Sequence, residues 1–201
     1  MNLAPNGKPS NLTPEQYKLV RTPAFISWFG DWINSPETAS KVVDENGEPL
    51  VVYHGTNFEF TIFKKDKPTI GAYGQGFYFT NDKGFASNYA RGNTAKFLDC
   101  FLNIKKIFTI DNDELPNGYE KYSSMADNKG VSRDFTRKII SENYNGVYSK
   151  NKYNENEIIV FDPNQIKLAD GSNTTFDASS DDIRYETGGA TKAFNYTIGG
   201  L

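Results

Sequence analysis

The apolar residues of this chain are grouped into many short runs, and this grouping limits the possible folds more than any other feature of the sequence. The runs are rich in Val, Ile, Phe and Tyr and are separated by Gly, Asn, Asp and Pro, as at 50–53, 76–80, 157–161 and 166–168. Runs of this length suit strands, whereas apolar residues at helical spacing occur only in a few stretches. Strands and helices do not alternate strictly, so the sequence predicts an α+β fold with antiparallel sheets.

Three regions are predicted along the chain. Residues 1–40 form a helical lead-in, in which Thr-Pro pairs at 13–14 and 22–23 are start signals for two short helices with an aromatic face. Residues 41–170 form the main domain. Residues 171–201 are rich in Gly, Ser, Thr and Asp, and this composition predicts a tail or linker.

Local signals place several elements inside the main domain. Two β-branched runs on either side of Asn46-Gly47 predict a hairpin over 42–53. The mixed residues 57–73 are interpreted as a surface loop. A helix carrying Phe85 and Tyr89 is expected to follow a cap at Asn81 or Asp82.

Composition excludes several classes of function. The 22 Lys and Arg residues against 25 Asp and Glu residues give a net charge of −3, too mild to indicate a nucleic-acid backbone or a membrane surface as partner. One Cys excludes an internal disulfide framework, and one His excludes a two-histidine zinc motif. No apolar run has the length of a signal peptide or a membrane span. We therefore expect a cytoplasmic protein with no metal and no membrane partner.

The single histidine lies in a pattern that favours chemistry over a purely structural role. His54 ends an apolar run, while Tyr78 lies on a predicted strand and Tyr89 on a predicted helix, so that the two rings could face a flat ligand. Glu157 opens another apolar run, where a carboxylate is partly removed from water. A histidine, two tyrosines and a strand-end glutamate together suit glycosyl transfer.

Three motifs in this order resemble those of ADP-ribosyltransferases of the His-Tyr-Glu class, which includes diphtheria-toxin-like and poly(ADP-ribose)-polymerase-like domains. The motifs are YHGT at 53–56, GQGFYF at 74–79 with SNY at 87–89, and NEIIVFD at 156–162. The chain is similar to the short ADP-ribosyltransferase domains in polyvalent proteins of phages and mobile elements. Those also carry the lead-in LTPEQY, the block KVVDENGEPLVVYHGT and a closing DIRY, so that the resemblance spans about 12–185.

The resemblance implies a fold, a co-substrate and a set of site residues. The fold is a split β-sandwich of two antiparallel sheets with flanking helices, and the co-substrate is NAD+, used without a metal. Catalysis is assigned to Glu157, His54 and Tyr78. The implied NAD-binding residues are His54, Gly55, Thr56, Tyr78, Ala86, Ser87 and Tyr89.

Each of these residues has an implied role. His54 would bind the adenosine ribose, and the Gly55 backbone would hold the nicotinamide carboxamide. Tyr78 and Tyr89 would sandwich the nicotinamide ring. Glu157 would bind the neighbouring ribose and stabilise the positive charge that develops as the glycosidic bond breaks.

The sequence departs from the polymerase pattern at one place and is ambiguous at another. The polymerases have a small hydroxyl residue three positions before the second tyrosine, which falls here on Ala86, with Ser87 next to it. Glu155 and Glu157 mimic the Glu-x-Glu pair of arginine-modifying transferases. Glu155 is therefore either an acceptor-side residue or a solvated loop charge.

The predicted activity is mono-ADP-ribosylation of a macromolecule by a toxin-like or phage-encoded host-modifying module. A protein acceptor is favoured over nucleic acid because the net charge is mild. Two alternatives stay open, an NAD glycohydrolase on the same fold and a catalytically inactive domain that binds a partner through its N-terminal helices. The sequence predicts no particular oligomeric state.

Overall fold

Two β-sheets packed face to face form the centre of the computed structural model, which describes residues 2–151, 153 and 155–184. The smaller sheet has the order β1-β4-β8. Its strands are Val52–Thr56 (β1), Lys96–Leu102 (β4) and Ile166–Leu168 (β8). The larger sheet has the order β2-β3-β7-β6-β5. Its strands are Thr69–Gly71 (β2), Gly74–Phe79 (β3), Ile107–Asp111 (β5), Gly146–Lys150 (β6) and Asn156–Val160 (β7).

The predicted α+β class with two sheets is confirmed, and one strand pair departs from the antiparallel expectation. β5 and β6 run parallel, whereas all the other described strand pairs are antiparallel. The connection between them contains the longest helix, α4, over Lys129–Ser141. Parallel neighbours need such a crossover, because a tight turn can join only antiparallel strands.

The core between the sheets is apolar on both faces. From the smaller sheet it receives Val52 and Leu102, and from the larger sheet Phe77, Phe79 and Val160, all buried. The two sheets meet where Tyr53 and Thr80 exchange backbone hydrogen bonds of 2.7 and 3.0 Å. This junction brings the YHGT and GQGFYF motifs side by side.

The two predicted N-terminal helices are present as α1 (Pro14–Leu19) and α2 (Pro23–Phe29). In α1 the Thr13 hydroxyl accepts a hydrogen bond from Gln16, whose side chain binds back to the Thr13 backbone. The aromatic face of α2 packs against Phe101 of β4, with ring centroids 5.1 Å apart at Phe25. These helices therefore cover the outer face of the smaller sheet.

A tight turn takes the place of a regular hairpin over 42–53. Val43 and Pro49 form a single antiparallel bridge, and β1 then pairs with β4 instead of returning along 42–43. The N–H of Leu50 bonds the carbonyl of Val42 at 3.1 Å on the far side of this bridge. The turn also carries the buried Glu48, whose carboxylate lies 3.1 Å from Arg21 and so ties the turn to the helical region.

The residues after Asp170 differ from the expected tail over the part that the structure describes. Phe176 and Ile183 are buried, and the ammonium of the buried Lys167 donates hydrogen bonds to the carbonyls of Ser180 and Asp182. Two large apolar side chains thus anchor a segment that is otherwise polar. Residues 185–201, including the last residue of the DIRY motif, lie outside the described residues.

The part of the chain that the structure describes contains neither a membrane-spanning helix nor a group of metal-binding side chains. No helix in this part of the chain is long and apolar enough to cross a membrane. No three His, Cys, Asp or Glu side chains within it are grouped so that they could hold a metal ion.

Candidate active site

A cavity of about 380 Å³ opens beside the junction of the two sheets; we call it the site cavity. β1 contributes one wall, β3 and β7 another, and the short helix α3 (Lys83–Ala86) with the turn after it a third. Six of the predicted site residues face one another across it, and Thr56 also belongs to its lining. The six are His54, Gly55, Tyr78, Ala86, Tyr89 and Glu157.

The imidazole of His54 is held in one orientation and in its neutral form. Its Nδ1 lies 2.8 Å from the carbonyl oxygen of Tyr78, and because a carbonyl only accepts, Nδ1 must carry the proton. Nε2 is then a hydrogen-bond acceptor. The ring packs edge-on against Phe63 with centroids 5.0 Å apart, and burial lowers the pKa of His54 below its usual value.

Gly55 is required by the close approach of α3 to β1. A Cβ at this position would lie 2.1 Å from the carbonyl oxygen of Ala86, and no side chain can tolerate that distance to a backbone atom. Asp82 fixes the start of α3, since its carboxylate accepts hydrogen bonds from two backbone N–H groups of the first turn. The helix can therefore rest on the bare backbone of β1.

The ring of Tyr78 is fixed at its hydroxyl end. Its hydroxyl donates a hydrogen bond of 2.6 Å to the carbonyl of Gly74, and Gly71 lies so close that a Cβ there would be 2.6 Å from the same hydroxyl. Burial raises the pKa of Tyr78, so the phenol stays protonated. The β2–β3 turn thus holds one aromatic wall of the site cavity in place.

Tyr89 and Glu157 form the opposite side. The Tyr89 hydroxyl lies 3.4 Å from a carboxylate oxygen of Glu157, and the tyrosine side chain is 58% exposed. Burial raises the pKa of Glu157 to about 7, the Tyr89 hydrogen bond opposes this, and the negative charge of Glu155 adds to it. A carboxylate poised near neutral pH in a partly desolvated position is typical of a functional group.

Two predicted residues lie elsewhere. Ser87 is exposed, donates its hydroxyl to the carbonyl of Gly84 at 2.6 Å, and is not among the described residues that line the site cavity. Glu155 lies in the loop before β7, where its carboxylate accepts a hydrogen bond of 2.7 Å from Asn151. It is half-buried and bound, which differs from a free solvated charge, and it acts on Glu157 through its charge.

Sequence reasoning missed the contribution of residues 57–73, interpreted as a surface loop. Asn57 and Phe58 line the site cavity, as do Thr69 and Gly71 from the short strand β2. The pair Gly71 and Gly74, three residues apart before an aromatic run, was the available signal for a tight β2–β3 turn.

The arrangement suits one kind of chemistry. Tyr78 and Tyr89 both line the site cavity, and the part of the cavity that they line is called here the ring slot, because two aromatic rings offer stacking surface to a flat aromatic group. The neutral imidazole of His54 and the carboxylate of Glu157 line the same cavity. Such a site can orient a ring and stabilise positive charge on the atom to which the ring is bonded.

Comparisons with known proteins give one match. A family model described as "ADP-Ribosyltransferase in polyvalent proteins" matches residues 44–176, a range that contains every residue of the site cavity named above. The match confirms the resemblance drawn from the motifs. The search of curated proteins found no match.

Proposed function

Because the chain belongs to the ADP-ribosyltransferases of polyvalent proteins, we propose that it cleaves the nicotinamide–ribose bond of NAD+ and transfers one ADP-ribose to a protein. We propose further that the chain is a toxin-like or phage-encoded module that acts on a host protein in the cytosol. One observation carries it: the half-buried carboxylate of Glu157 stands at the edge of the ring slot between Tyr78 and Tyr89.

The ring slot fits the nicotinamide group. Its two aromatic rings offer stacking surface, and the backbone of Gly55, which lines the same cavity, supplies hydrogen-bonding groups for the planar carboxamide. Ala86 has no side-chain hydroxyl, so the carboxamide contact that the polymerases obtain from that position has to come from backbone here.

His54 suits the adenosine ribose. Its unprotonated Nε2 can accept a hydrogen bond from a ribose hydroxyl, and its fixed Nδ1 bond to Tyr78 keeps that acceptor aimed in one direction. The lowered pKa keeps the imidazole neutral, and hence an acceptor, at neutral pH.

Glu157 supplies electrostatic stabilisation. Nicotinamide leaves as a neutral molecule, so the step needs a fixed anion beside the developing positive charge more than it needs a proton donor. The ionised carboxylate of Glu157 is that anion, and the Tyr89 hydroxyl at 3.4 Å helps to orient it.

The diphosphate of NAD+ has to be held at the open mouth. No Lys or Arg is among the described residues that line the site cavity. Arg91 lies next to that mouth, because its backbone N–H and carbonyl both bind the side chain of the lining residue Asn57. Its exposed guanidinium is the group best placed to meet the diphosphate.

The direct test is incubation with labelled NAD+ and a bacterial lysate, followed by a denaturing gel. We expect a discrete labelled band, shifted by one or a few ADP-ribose units, that protease removes and nuclease leaves. Elongation would require a second pocket with a basic surface for the previous diphosphate, and the segment 96–157 mixes basic with acidic residues. A long smear that a poly(ADP-ribose) glycohydrolase collapses would contradict single transfer.

Other outcomes would identify the alternatives. Rapid release of nicotinamide without labelled protein would indicate an NAD glycohydrolase, in which water is the acceptor. No NAD+ binding in calorimetry would indicate an inactive binding domain. Label that nuclease removes would indicate a nucleic-acid acceptor.

The pH dependence should report the titration of Glu157. Because its pKa is raised to about 7 and the ionised form is the active one, kcat/KM for NAD+ should rise with pH through about 7 and then level off. Glu155→Gln removes a negative neighbour, so the midpoint should move to lower pH. The measurement is a pH–rate profile of both proteins, and coincident midpoints would show that Glu155 does not act on Glu157.

The ring slot can be tested through its two walls. Tyr78→Ala and Tyr89→Ala should each weaken NAD+ binding by about 1 kcal/mol or more, roughly fivefold, through lost stacking and burial. Tyr78→Phe keeps the ring and loses the bond to Gly74, so it should lower stability by about 1 kcal/mol and change affinity little. Calorimetric titration with NAD+ measures these effects. Unchanged affinity in both folded alanine variants would exclude a ring slot at this position.

A further inference from the structure

A second cavity, of about 550 Å³, lies behind the β2–β3 turn and shares Ala72 with the site cavity; we call it the acidic cleft. Its floor is apolar, formed by Ile110 at the end of β5 with Leu115 and Met125. Its rim carries carboxylates. These are Asp113, Glu114 and Glu120.

Tyr73 stands between the acidic cleft and Glu157. Its hydroxyl donates a hydrogen bond of 2.6 Å to the carboxylate of Asp113 on the cleft side. The negative charges of Asp113 and Glu157 both act on this phenol and, after burial, contribute to its raised pKa of about 12. Because Ala72 lines both cavities, the cleft opens next to the site cavity that Glu157 lines.

Among the described residues, no Lys or Arg forms a salt bridge with the carboxylates of the rim. The Glu120 carboxylate accepts the backbone N–H of Gly118 at 2.9 and 3.0 Å, which lowers the pKa of Glu120 and keeps it ionised. Glu114 is exposed. No Lys or Arg is among the described residues that line the cleft, and the ammonium of the adjacent Lys121 lies over the ring of Tyr122, 5.0 Å from its centroid.

From this we infer that the acidic cleft binds a basic segment of the acceptor protein next to the residue that is modified. A lysine or arginine side chain would lay its aliphatic stem on the apolar floor and bring its cation to the carboxylates of the rim. The same rim repels phosphate, so it selects a protein over a nucleic-acid acceptor. The inference rests on the proposed transferase activity and names the acceptor's chemistry.

Binding can be tested without any reaction. The probe is fluorescent hexalysine with blocked termini, compared with hexaglutamate and a single-stranded decathymidylate, at low salt. Glu114→Gln/Glu120→Gln should bind hexalysine roughly 5- to 10-fold more weakly than the wild type. The control, Glu15→Gln/Glu37→Gln, makes the same change of charge at exposed positions outside the cleft and should bind as the wild type does.

The results of this binding experiment distinguish the possible occupants of the acidic cleft. Equal loss in both double variants would show that only net charge matters and would overturn the inference. Tighter binding of decathymidylate than of hexalysine would overturn it in favour of nucleic acid. Self-association in sedimentation that the cleft variant abolishes would overturn it in favour of a second copy of this chain.

An activity assay distinguishes failure of this inference from failure of the proposed function. Transfer to a basic peptide should fall about 5-fold or more in Glu114→Gln/Glu120→Gln. NAD+ hydrolysis without acceptor should stay unchanged, because neither glutamate lines the site cavity. Unchanged peptide transfer would overturn the inference alone. Absence of NAD+ cleavage in the wild type would overturn the proposed function. The hexalysine titration would still show whether the cleft binds a basic segment.

Discussion

Replacing Glu157 with glutamine is expected to slow NAD+ cleavage and transfer by about 10²- to 10³-fold while leaving NAD+ affinity within a few-fold. Glutamine has nearly the same shape and can still accept the Tyr89 hydroxyl that lies 3.4 Å from the carboxylate. What the substitution removes is the negative charge. That charge matters most when positive charge develops on the ribose, so the loss falls on the rate and not on binding.

The measurement is single-turnover release of nicotinamide, with NAD+ affinity determined separately by calorimetry. Glu155→Gln is the matched control, because it makes the same chemical change two residues earlier on a side chain that binds Asn151. At pH 8, which is above the pKa of about 7 of Glu157, the Glu155→Gln variant should keep most of the wild-type rate. Near-wild-type turnover of Glu157→Gln would show that Glu157 is not the catalytic carboxylate. Glu155 would then be the next candidate for that role.

The same variant has a stability signature of opposite sign. The pKa of Glu157 is raised to about 7 in the folded chain, so its ionised form is disfavoured there relative to the unfolded chain. This cost is absent below the unfolded pKa, grows as the pH rises, and is complete above about 7. Glu157→Gln should therefore unfold at a higher temperature than the wild type at pH 8 and at a similar temperature near pH 4. A functional residue that is retained at a cost in stability fits a catalytic role better than a structural one.

Most of the candidate site could be predicted because its information is local. The YHGT and GQGFYF motifs each place their functional side chain on a strand, and a strand fixes the direction in which alternate residues point. Tyr89 follows a helix whose Asp82 cap is visible in the sequence. Only their meeting point, the bridge between Tyr53 and Thr80, depends on tertiary structure.

What the sequence could not provide depends on contacts between distant segments. The parallel pairing of β5 with β6 follows from the packing of α4 and has no local signal. The segment after Asp170 has the composition of a linker, and burial of Phe176 and Ile183 outweighs that composition. The acidic cleft joins residues near 72 to residues near 120, which no motif connects.

Gly55 offers a sharper test of the site's geometry than any polar residue in it. Gly55→Ala should lower kcat/KM for NAD+ by on the order of tenfold to a hundredfold, the size typical of a displacement of about 1 Å in a site that positions its substrate. The new Cβ would lie 2.1 Å from the carbonyl oxygen of Ala86, and a backbone carbonyl cannot swing aside as the end of a long side chain can. The end of α3 must then move away from β1.

That movement would carry Tyr89 with it, since a single helical turn at 87–89 follows α3 directly. The ring slot would widen and the Tyr89 hydroxyl would leave Glu157, so stacking and carboxylate orientation would weaken together. Gly130→Ala is the control, because its Cβ would meet only the Asn128 side chain, at 3.2 Å, and Gly130 is not among the described residues that line the site cavity. It should keep wild-type kinetics and stability.

Circular dichroism and thermal unfolding identify whether Gly55→Ala stays folded, and calorimetry with NAD+ measures what remains of the ring slot. A folded variant with wild-type affinity and rate would show that α3 does not need the bare backbone of β1. If the alanine variant fails to fold, NAD+ should still raise the unfolding temperature of Ala86→Gly, which keeps the same carbonyl and adds no bulk. Because Gly55 contributes no side chain at all, a loss of catalysis on gaining one methyl group would have to come from the relative position of the β1 backbone, α3 and the tyrosine that follows α3.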